Sequence, residues 1–496
     1  MIARRRGNPP ITRPRVAIVG ANFGGLRAAQ ELGSEFDVTV FDPSPWFEWL
    51  PNIHELVSRA KRPADLRLPR KRLVAAAGHR FVRDAVTAID AKRGTLTTAS
   101  GMIDAFDFCI VAVGAINANY GVRGVERYAL PFRSVEHCDV IGRRLAALMK
   151  GRKPRSVVIA GGGFAGVEAL GEILRRYRSR DNLTLHIVEA GPGLMWGVSP
   201  KIDAAVRRHV RAYDVQIHVR SPVAAITPTG VRLQGGKRLR SDLTIWTGGN
   251  VAPPLLHAAR LAPKPLQWAP VDATLRSRNH DNVFVIGDAA ALPVAVPKQA
   301  FHALEMGECA AANVRRAAAG RPLRRYRPSR TPLLVAFGDL DTFLVAGRSI
   351  VANPALAAGK EAAYQVTMAQ IDPPSNVHAL GQLASRVIGV TRRLAPPRGE
   401  GRCSPPECTN ACSSRGVAGS TYSRVRSTSI APRRRSSSGR MTGAGTKERT
   451  LTWNAAGSGR FIIGPALRSS LSHASARRCS SSCRQTGVHR RSRSTA

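Results

Sequence analysis

From Arg15 to Leu394 the chain alternates short apolar runs with helical stretches. RVAIVG leads into FGGLRAAQELG, SVVIAGG leads into FAGVEALGEILRRYR, and VTVFD, FDFCIVAVG, LTLHIVEA and DLTIWTGG are further runs of the same kind. Short β-branched runs that end in Gly or Asp and alternate with helices predict buried parallel strands. The fold class expected is therefore α/β, doubly wound. Beyond Leu394 the pattern stops, and segments such as RRRSSSGR, SLSHASARRCSSSCRQ and RRSRSTA carry neither a helical nor a strand period. A segment of that composition buries too little apolar area to offset its ordering entropy, so residues 395–496 are expected to be a disordered basic tail. The tail also reads like GC-rich DNA translated in a shifted frame.

Composition sharpens this picture in two places. With 496 residues and 43% hydrophobic positions the chain can bury more than one core. The net charge of +42 invites a nucleic-acid reading, but residues 395–496 alone hold 19 basic and three acidic residues. The remaining excess is Arg scattered among Ala, Gly and Pro, with no clustered face for phosphates, so nucleic acid is not an expected partner. No apolar run reaches the length of about 20 residues that crosses a bilayer, and MIARRRGNPPITRPR has no apolar segment after its charges. A cytoplasmic protein is expected. Cys109, Cys138 and Cys309 stand alone, Cys403, Cys408, Cys412, Cys479 and Cys483 crowd the tail, and no C-x-x-C occurs. That removes the usual dithiol and zinc signatures, and no metal site is expected.

Chemistry enters through glycines. Val16-Ala-Ile-Val-Gly20-Ala-Asn22-Phe-Gly24-Gly25 runs from a strand into a helix, and the following strand ends in Asp42. In a dinucleotide motif the first Gly makes the tight turn, the second lets the backbone approach the pyrophosphate, and the third permits close helix packing. The carboxylate on the next strand takes ribose hydroxyls. Here Asn22 replaces the second Gly, and its side chain must point away from the phosphate. A second copy is intact: Gly161, Gly163 and Gly166, followed by Val167-Glu168 and by a strand ending in Glu189. Two copies, each between strand and helix and each with a downstream acid, are hard to obtain by chance. A carboxylate at Glu189 accepts from a 2′-hydroxyl and repels a 2′-phosphate, which selects NADH over NADPH. A third element, His280-Asp-Asn-Val-Phe-Val-Ile-Gly287-Asp288, delivers an acid to the carboxyl end of a buried strand, where open α/β sheets bind ligands.

The order of these motifs, with Phe108-Cys-Ile-Val-Ala112-Val-Gly114 and Asp242-Leu-Thr-Ile-Trp246-Thr-Gly248-Gly249 between them, resembles the two-dinucleotide-binding-domain flavoprotein (pyridine nucleotide-disulfide oxidoreductase) family. Within it the chain is most similar to type II NADH dehydrogenases over Arg15 to Asp372. The resemblance implies FAD on the first motif, at Gly20, Asn22, Gly24, Gly25, Asp42, Gly287 and Asp288. It implies NADH on the second, at Gly161, Gly163, Gly166, Glu189 and Gly248. Pro297-Lys298-Gln299-Ala-Phe-His302 is similar to the family's A-Q-x-x-H helix start, with Lys298 in place of Ala, which makes Gln299 and His302 flavin and quinone contacts. Glu168 resembles a carboxylate placed near the flavin for proton transfer. The disulfide reductases carry C-x4-C after the first acidic strand, whereas this chain has Asp42-Pro-Ser-Pro-Trp-Phe-Glu-Trp-Leu-Pro-Asn-Ile-His54 and no cysteine. Electrons must then pass from the flavin directly to a quinone or a similar small acceptor.

The resulting expectation is two Rossmann-like domains, with the FAD domain discontinuous (14–122 and 262–322) and the NADH domain inserted (123–261). A small α+β region (323–394) and the tail complete the chain. NADH:quinone reduction is the leading activity, at the inner face of the cell membrane or free in the cytoplasm, with a homodimer compatible. Leu380 to Leu394 is the one stretch with an apolar side and basic residues suited to a membrane surface. A sulfide:quinone reductase would need redox cysteines, for which Cys138 and Cys309 are the available pair. A ferredoxin-type reductase, or a non-catalytic flavoprotein with a basic interaction tail, would carry the same glycine motifs. Trp46, Phe47 and Trp49, with Leu50 and Pro51, are read as core in preference to a quinone passage.

Overall fold

The computed structural model describes residues 13–347 and 349–373; the expectations for Leu380–Leu394 and for the tail lie outside them. In chain order the strands that build the site are β1 (Arg15–Val19), β2 (Asp37–Phe41), β3 (Arg80–Val82), β4 (Phe108–Val111), β5 (Ile116–Asn117) and β6 (Ala129–Pro131). They continue with β7 (Arg155–Ala160), β8 (Leu183–Val188), β9 (Val215–His218), β10 (Leu243–Trp246), β11 (Asn250–Val251) and β12 (Val283–Val285).

Two parallel five-stranded sheets result, β12-β4-β1-β2-β3 and β6-β10-β7-β8-β9. The strand that runs into a glycine motif, β1 or β7, sits at the centre of each. Each sheet also has a three-stranded antiparallel meander just before the strand beside its central one, over residues 86–105 ahead of β4 and over residues 223–240 ahead of β10. The order is the same in both sheets except for the origin of the outermost strand: β12 comes from far along the chain, whereas β6 comes from just before β7. That difference follows from threading one unit into the other. The crossing is made by β5 and β11, which pair antiparallel with Asn117 opposite Asn250. Arg133 secures it, donating to Asn250 Oδ1 at 2.6 Å and to the Ala115 carbonyl.

Five helices matter for the site: α1 (Phe23–Glu31), α2 (Val135–Leu148), α3 (Phe164–Tyr177), α4 (Ala300–Ala318) and α5 (Leu356–Ile371). Central strands such as Val16–Val19 and Val157–Ala160 are buried almost completely, as parallel strands covered on both faces must be. Helix α1 lies against α4 at close range, for a Cβ on Gly307 would come within 2.3 Å of the Gly24 carbonyl oxygen. A three-stranded antiparallel sheet over residues 333–352 precedes α5. Among the described residues no helix is long and apolar enough to cross a membrane.

Candidate active site

Each glycine motif turns a central strand into a helix in the same way. Gly20 and Gly161 have φ of +97° and +124°, a region that L side chains rarely adopt. A Cβ on Gly25 would lie 1.8 Å from the Gly20 carbonyl oxygen, and one on Gly166 would lie 1.9 Å from that of Gly161. Both positions are therefore closed to any other residue without a shift of backbone. Between them, Asn22 and Gly163 are N-cap residues with φ of −94° and −78°, backbone that any residue can adopt. The Asn22 amide is spent on the backbone of Glu48, with Nδ2 donating to the carbonyl at 3.1 Å and Oδ1 accepting from the N–H at 3.0 Å. Gly24 serves packing, since a Cβ there would stand 3.0 Å from the Ala303 carbonyl oxygen on α4.

The two acids repeat this symmetry. Asp42 accepts from the N–H groups of Ala21 (2.8 Å) and Ser44 (2.9 Å). Glu189 accepts from Gly162 (2.7 Å) and Gly191 (2.6 Å). Asp42 has one further partner, the buried Arg70, whose guanidinium also holds the carbonyls of Ala21 and Ser44. Sequence reasoning missed Arg70 because nothing local marks it.

One cleft of about 2760 Å³ joins the motifs. Gly20, Asn22, Gly24, Asp42, Glu168, Gly287, Asp288, Gln299 and His302 line it. The second motif reaches its wall through Phe164 and Ala165, and Thr247 and Gly249 flank Gly248, whose own position is packed against the Trp246 ring. Gly161, Gly163, Gly166, Glu189 and Gly25 do not line the cleft, and Gly163 is exposed. Trp46, Trp49, Leu50 and Pro51 also face the cleft, although Phe47 and Trp49 are buried and Trp46 is part of the surface.

Asp288 follows β12 with no hydrogen-bond partner for its carboxylate among the described residues. Burial pushes its pKa up, against the pull of Lys298 and Arg133. An acceptor held without a donor at a cleft wall suits the hydroxyls of a ligand. Lys298 follows nearby, its Nζ 2.5 Å from the Asp288 carbonyl oxygen, 3.2 Å from that of Ala290 and 4.0 Å from the Trp268 ring centre. Burial lowers its pKa to about 8. Gln299 caps α4 without using its side chain on the helix. One turn on, buried His302 places Nδ1 3.4 Å from Glu305 Oε2 and 3.4 Å from the Tyr326 hydroxyl, which donates to Glu305 at 3.2 Å.

Across the cleft, Glu168 Oε1 accepts from Lys360 Nζ at 2.7 Å. Lys360 is buried on α5 beside His54, and its Nζ also stands 3.4 Å from His54 Nε2. One turn beyond Glu168, buried Glu172 accepts from Ser58, and burial raises its pKa to about 7. Sequence reasoning missed Lys360 too. The available signal was periodicity, because Lys360 shares one helical stripe with Tyr364, Thr367 and Ile371, all buried. Cys109, Cys138 and Cys309 are free and buried, and burial pushes the first and third thiols up to about 12 and 11 and raises that of Cys138 as well. Thiols in that state are poor redox nucleophiles, which removes the support for a sulfide-oxidising pair at Cys138 and Cys309.

A family model described as pyridine nucleotide-disulphide oxidoreductase matches residues 14–307. The demethylphylloquinone reductase NdbB of Synechocystis is 27% identical over 344 residues, 64% of this chain and 83% of its own. A type II NADH:quinone oxidoreductase of Staphylococcus epidermidis is 25% identical over 387 residues, 71% of this chain and 93% of its own. The fold is shared with NDH2 of Plasmodium falciparum, solved in complex with NADH, at a TM-score of 0.63 and 14% identity, over 72% of this chain and 95% of that one.

Proposed function

The chain belongs to the pyridine nucleotide-disulphide oxidoreductase family, and from that premise we propose that it is an FAD-dependent NADH dehydrogenase delivering electrons to a quinone. The observation that carries this reading is the pair of matched glycine turns, the first lining a cleft that the second reaches through Phe164, Ala165 and Glu168, with no redox dithiol among the described residues. The relatives named for quinone reduction, which this chain matches over most of their length, support the choice of acceptor. A flavin, when bound, takes a hydride from a nicotinamide and returns two electrons to an acceptor.

The residues fit such a ligand pair. Gly20 and Gly25 let the backbone approach a pyrophosphate at the N-terminus of α1, with Gly24 keeping α1 against α4 and Asn22 holding its amide away. Asp42 orients ribose hydroxyls, and Gly287 and Asp288 take the hydroxyls of the flavin chain. Gly161, Gly163 and Gly166 do the same work for NADH, Gly248 shapes the turn beside them, and Glu189 accepts from the adenosine ribose and discriminates against a 2′-phosphate. Gln299 and His302 flank the acceptor at the start of α4. Glu168, paired with the Lys360 ammonium, stands at the cleft wall to supply a proton. The expected division gave the inserted NADH unit residues 123–261; in this reading it ends near Asn250 instead, because Ala252, Leu256, Ala259 and Leu261 pack into the core of the first sheet and so join the FAD unit. A long-chain quinone dwells in a bilayer, so the enzyme works at the inner membrane surface; a homodimer is compatible with this division.

The test is spectroscopic. Purified full-length protein should be yellow, lose its flavin absorbance on anaerobic addition of NADH, and regain it on addition of a soluble quinone. A colourless protein, or a flavin that NADH leaves unbleached, would reject the proposal.

A further inference from the structure

A line of ionisable side chains runs from the cleft to the surface behind Glu168. His54 Nδ1 lies 3.7 Å from Glu168 Oε2. The ring is only 1% exposed, and Nδ1 is a buried nitrogen with no hydrogen-bond partner. On its other side, Nε2 is 3.9 Å from Glu55 Oε1. Glu55 Oε2 is 3.5 Å from Lys61 Nζ, which pairs at 2.8 Å with Glu361, whose side chain is 41% exposed. Three elements meet at the imidazole: the turn carrying Glu55 and Lys61, helix α3 with Glu168 and Arg175, and helix α5 with Lys360. Burial first, then the Lys360 charge, hold the His54 pKa well below its ordinary value.

We propose that His54 is the relay by which solvent protons, entering at Glu55, reload Glu168 after each quinone reduction. This inference rests on the NADH:quinone reading. The balance of that reaction requires a proton source: NADH, one proton and a quinone yield NAD and a quinol. The hydride carries both electrons and one of the two hydrogens that the quinol gains. The second arrives as a proton, the new quinol O–H forming as the Glu168 O–H breaks. With an apolar quinone filling the cleft, water is excluded on that side and the carboxylate is left facing His54. A neutral imidazole has one N–H and one lone pair, so it releases a proton from one nitrogen to Glu168 while taking another at the opposite nitrogen. An orphaned Nδ1 3.7 Å from Glu168 Oε2 is a small side-chain shift, or one bridging water, from the hydrogen bond such a handover needs. His54 touches no substrate, and it is a positioning and relay residue.

The experiment is anaerobic stopped-flow on the full-length, FAD-loaded enzyme, following flavin reduction by NADH and reoxidation by a soluble quinone separately, in H2O and D2O. For His54→Gln, reduction should stay within about twofold of the parent. Reoxidation should fall about 100-fold, the scale of one positioned proton transfer, and recover in part with a small weak acid in the buffer. Glu55→Gln should slow the same step by about tenfold, and it carries the test if His54→Gln loses its flavin. Independently of turnover, the histidine ¹⁵N signal that disappears in His54→Gln should shift in Glu168→Gln. A His54→Gln or Glu55→Gln enzyme that reoxidises at the parental rate with the parental isotope effect would overturn the relay alone. A parent flavin that NADH cannot bleach would sink the dehydrogenase reading and the relay with it.

Discussion

Laid over one another, the first and second glycine motifs match position by position: Gly20 on Gly161, Asn22 on Gly163, Gly25 on Gly166, Asp42 on Glu189. Their geometry agrees as well, down to the acid accepting from the N–H of the residue after the first glycine. They differ in what surrounds that frame. Asp42 is clamped by a buried arginine, whereas among the described residues no Lys or Arg reaches ion-pair distance of Glu189. Helix α1 has Arg27 and Glu31, a pair 2.8 Å apart near the surface, where α3 has Glu168 and Glu172. The common part is what a strand-to-helix turn under a pyrophosphate demands. In the proposed reading, the divergent part separates a unit that holds its flavin tightly from one that lets a coenzyme come and go beside groups able to exchange protons.

The comparison can be broken most severely at Arg70. Its side chain and that of Asp42 are 6% and 12% exposed, and removing one partner of a buried pair costs about 3–5 kcal/mol. Arg70→Met should lose that much in urea unfolding and shed its flavin on gel filtration. Glu189→Gln, which strands no cation, should cost about 1 kcal/mol. Equal losses would show that the two acids are anchored alike.

The next contrast concerns pH. Glu172 titrates near 7 in the fold against 4.5 in its ordinary state, chiefly through burial. The folded protein thus keeps a proton that the unfolded chain has lost, so stability is present at low pH and falls as pH rises between those values. Glu172→Gln should therefore stabilise the protein more at pH 8 than at pH 5, by about 2 kcal/mol in paired melts. At Glu31 the same change removes a surface pair worth about 0.5 kcal/mol.

Smaller effects sharpen the frame itself. Gly25→Ala and Gly166→Ala each force a methyl onto a carbonyl oxygen, at about 1–3 kcal/mol. The readouts should differ: the first protein loses flavin, while the second stays yellow and fails to bleach with NADH. Asn22→Gly restores the missing glycine but removes both bonds to Glu48. A loss of about 1 kcal/mol is expected, with no tighter flavin binding. Tighter binding would mean that the asparagine side chain does crowd the ligand.

What was legible in the sequence was whatever is local. A glycine turn and the acid that follows it lie within a few dozen residues, and steric rules alone require Gly at Gly20 and Gly25. Arg70 sits 28 residues from Asp42, Lys360 sits 192 from Glu168, and His54 sits 306 from Lys360. Lys360 meets Glu168 and His54 only because α5 closes over the turn at His54 and over α3, and Arg70 reaches Asp42 from the start of the helix Arg70–Ala76; both are consequences of packing with no sequence motif. Trp46 and Trp49 show the same limit on a smaller scale. Three residues apart in one apolar cluster, they end at the surface and in the core, where the Trp49 indole N–H is satisfied by buried Asn52 at 2.8 Å.

The pairing of Ile116–Asn117 with Asn250–Val251 has a genetic consequence. The chain departs from the first sheet and comes back to it at neighbouring points, so the backbone enters and leaves everything between through a single joint. A coding segment cut at those two sites could be exchanged for that of a relative, replacing the glycine turn and acid at Gly161–Glu189 while leaving Gly20, Gly25 and the Arg70–Asp42 pair encoded as they are.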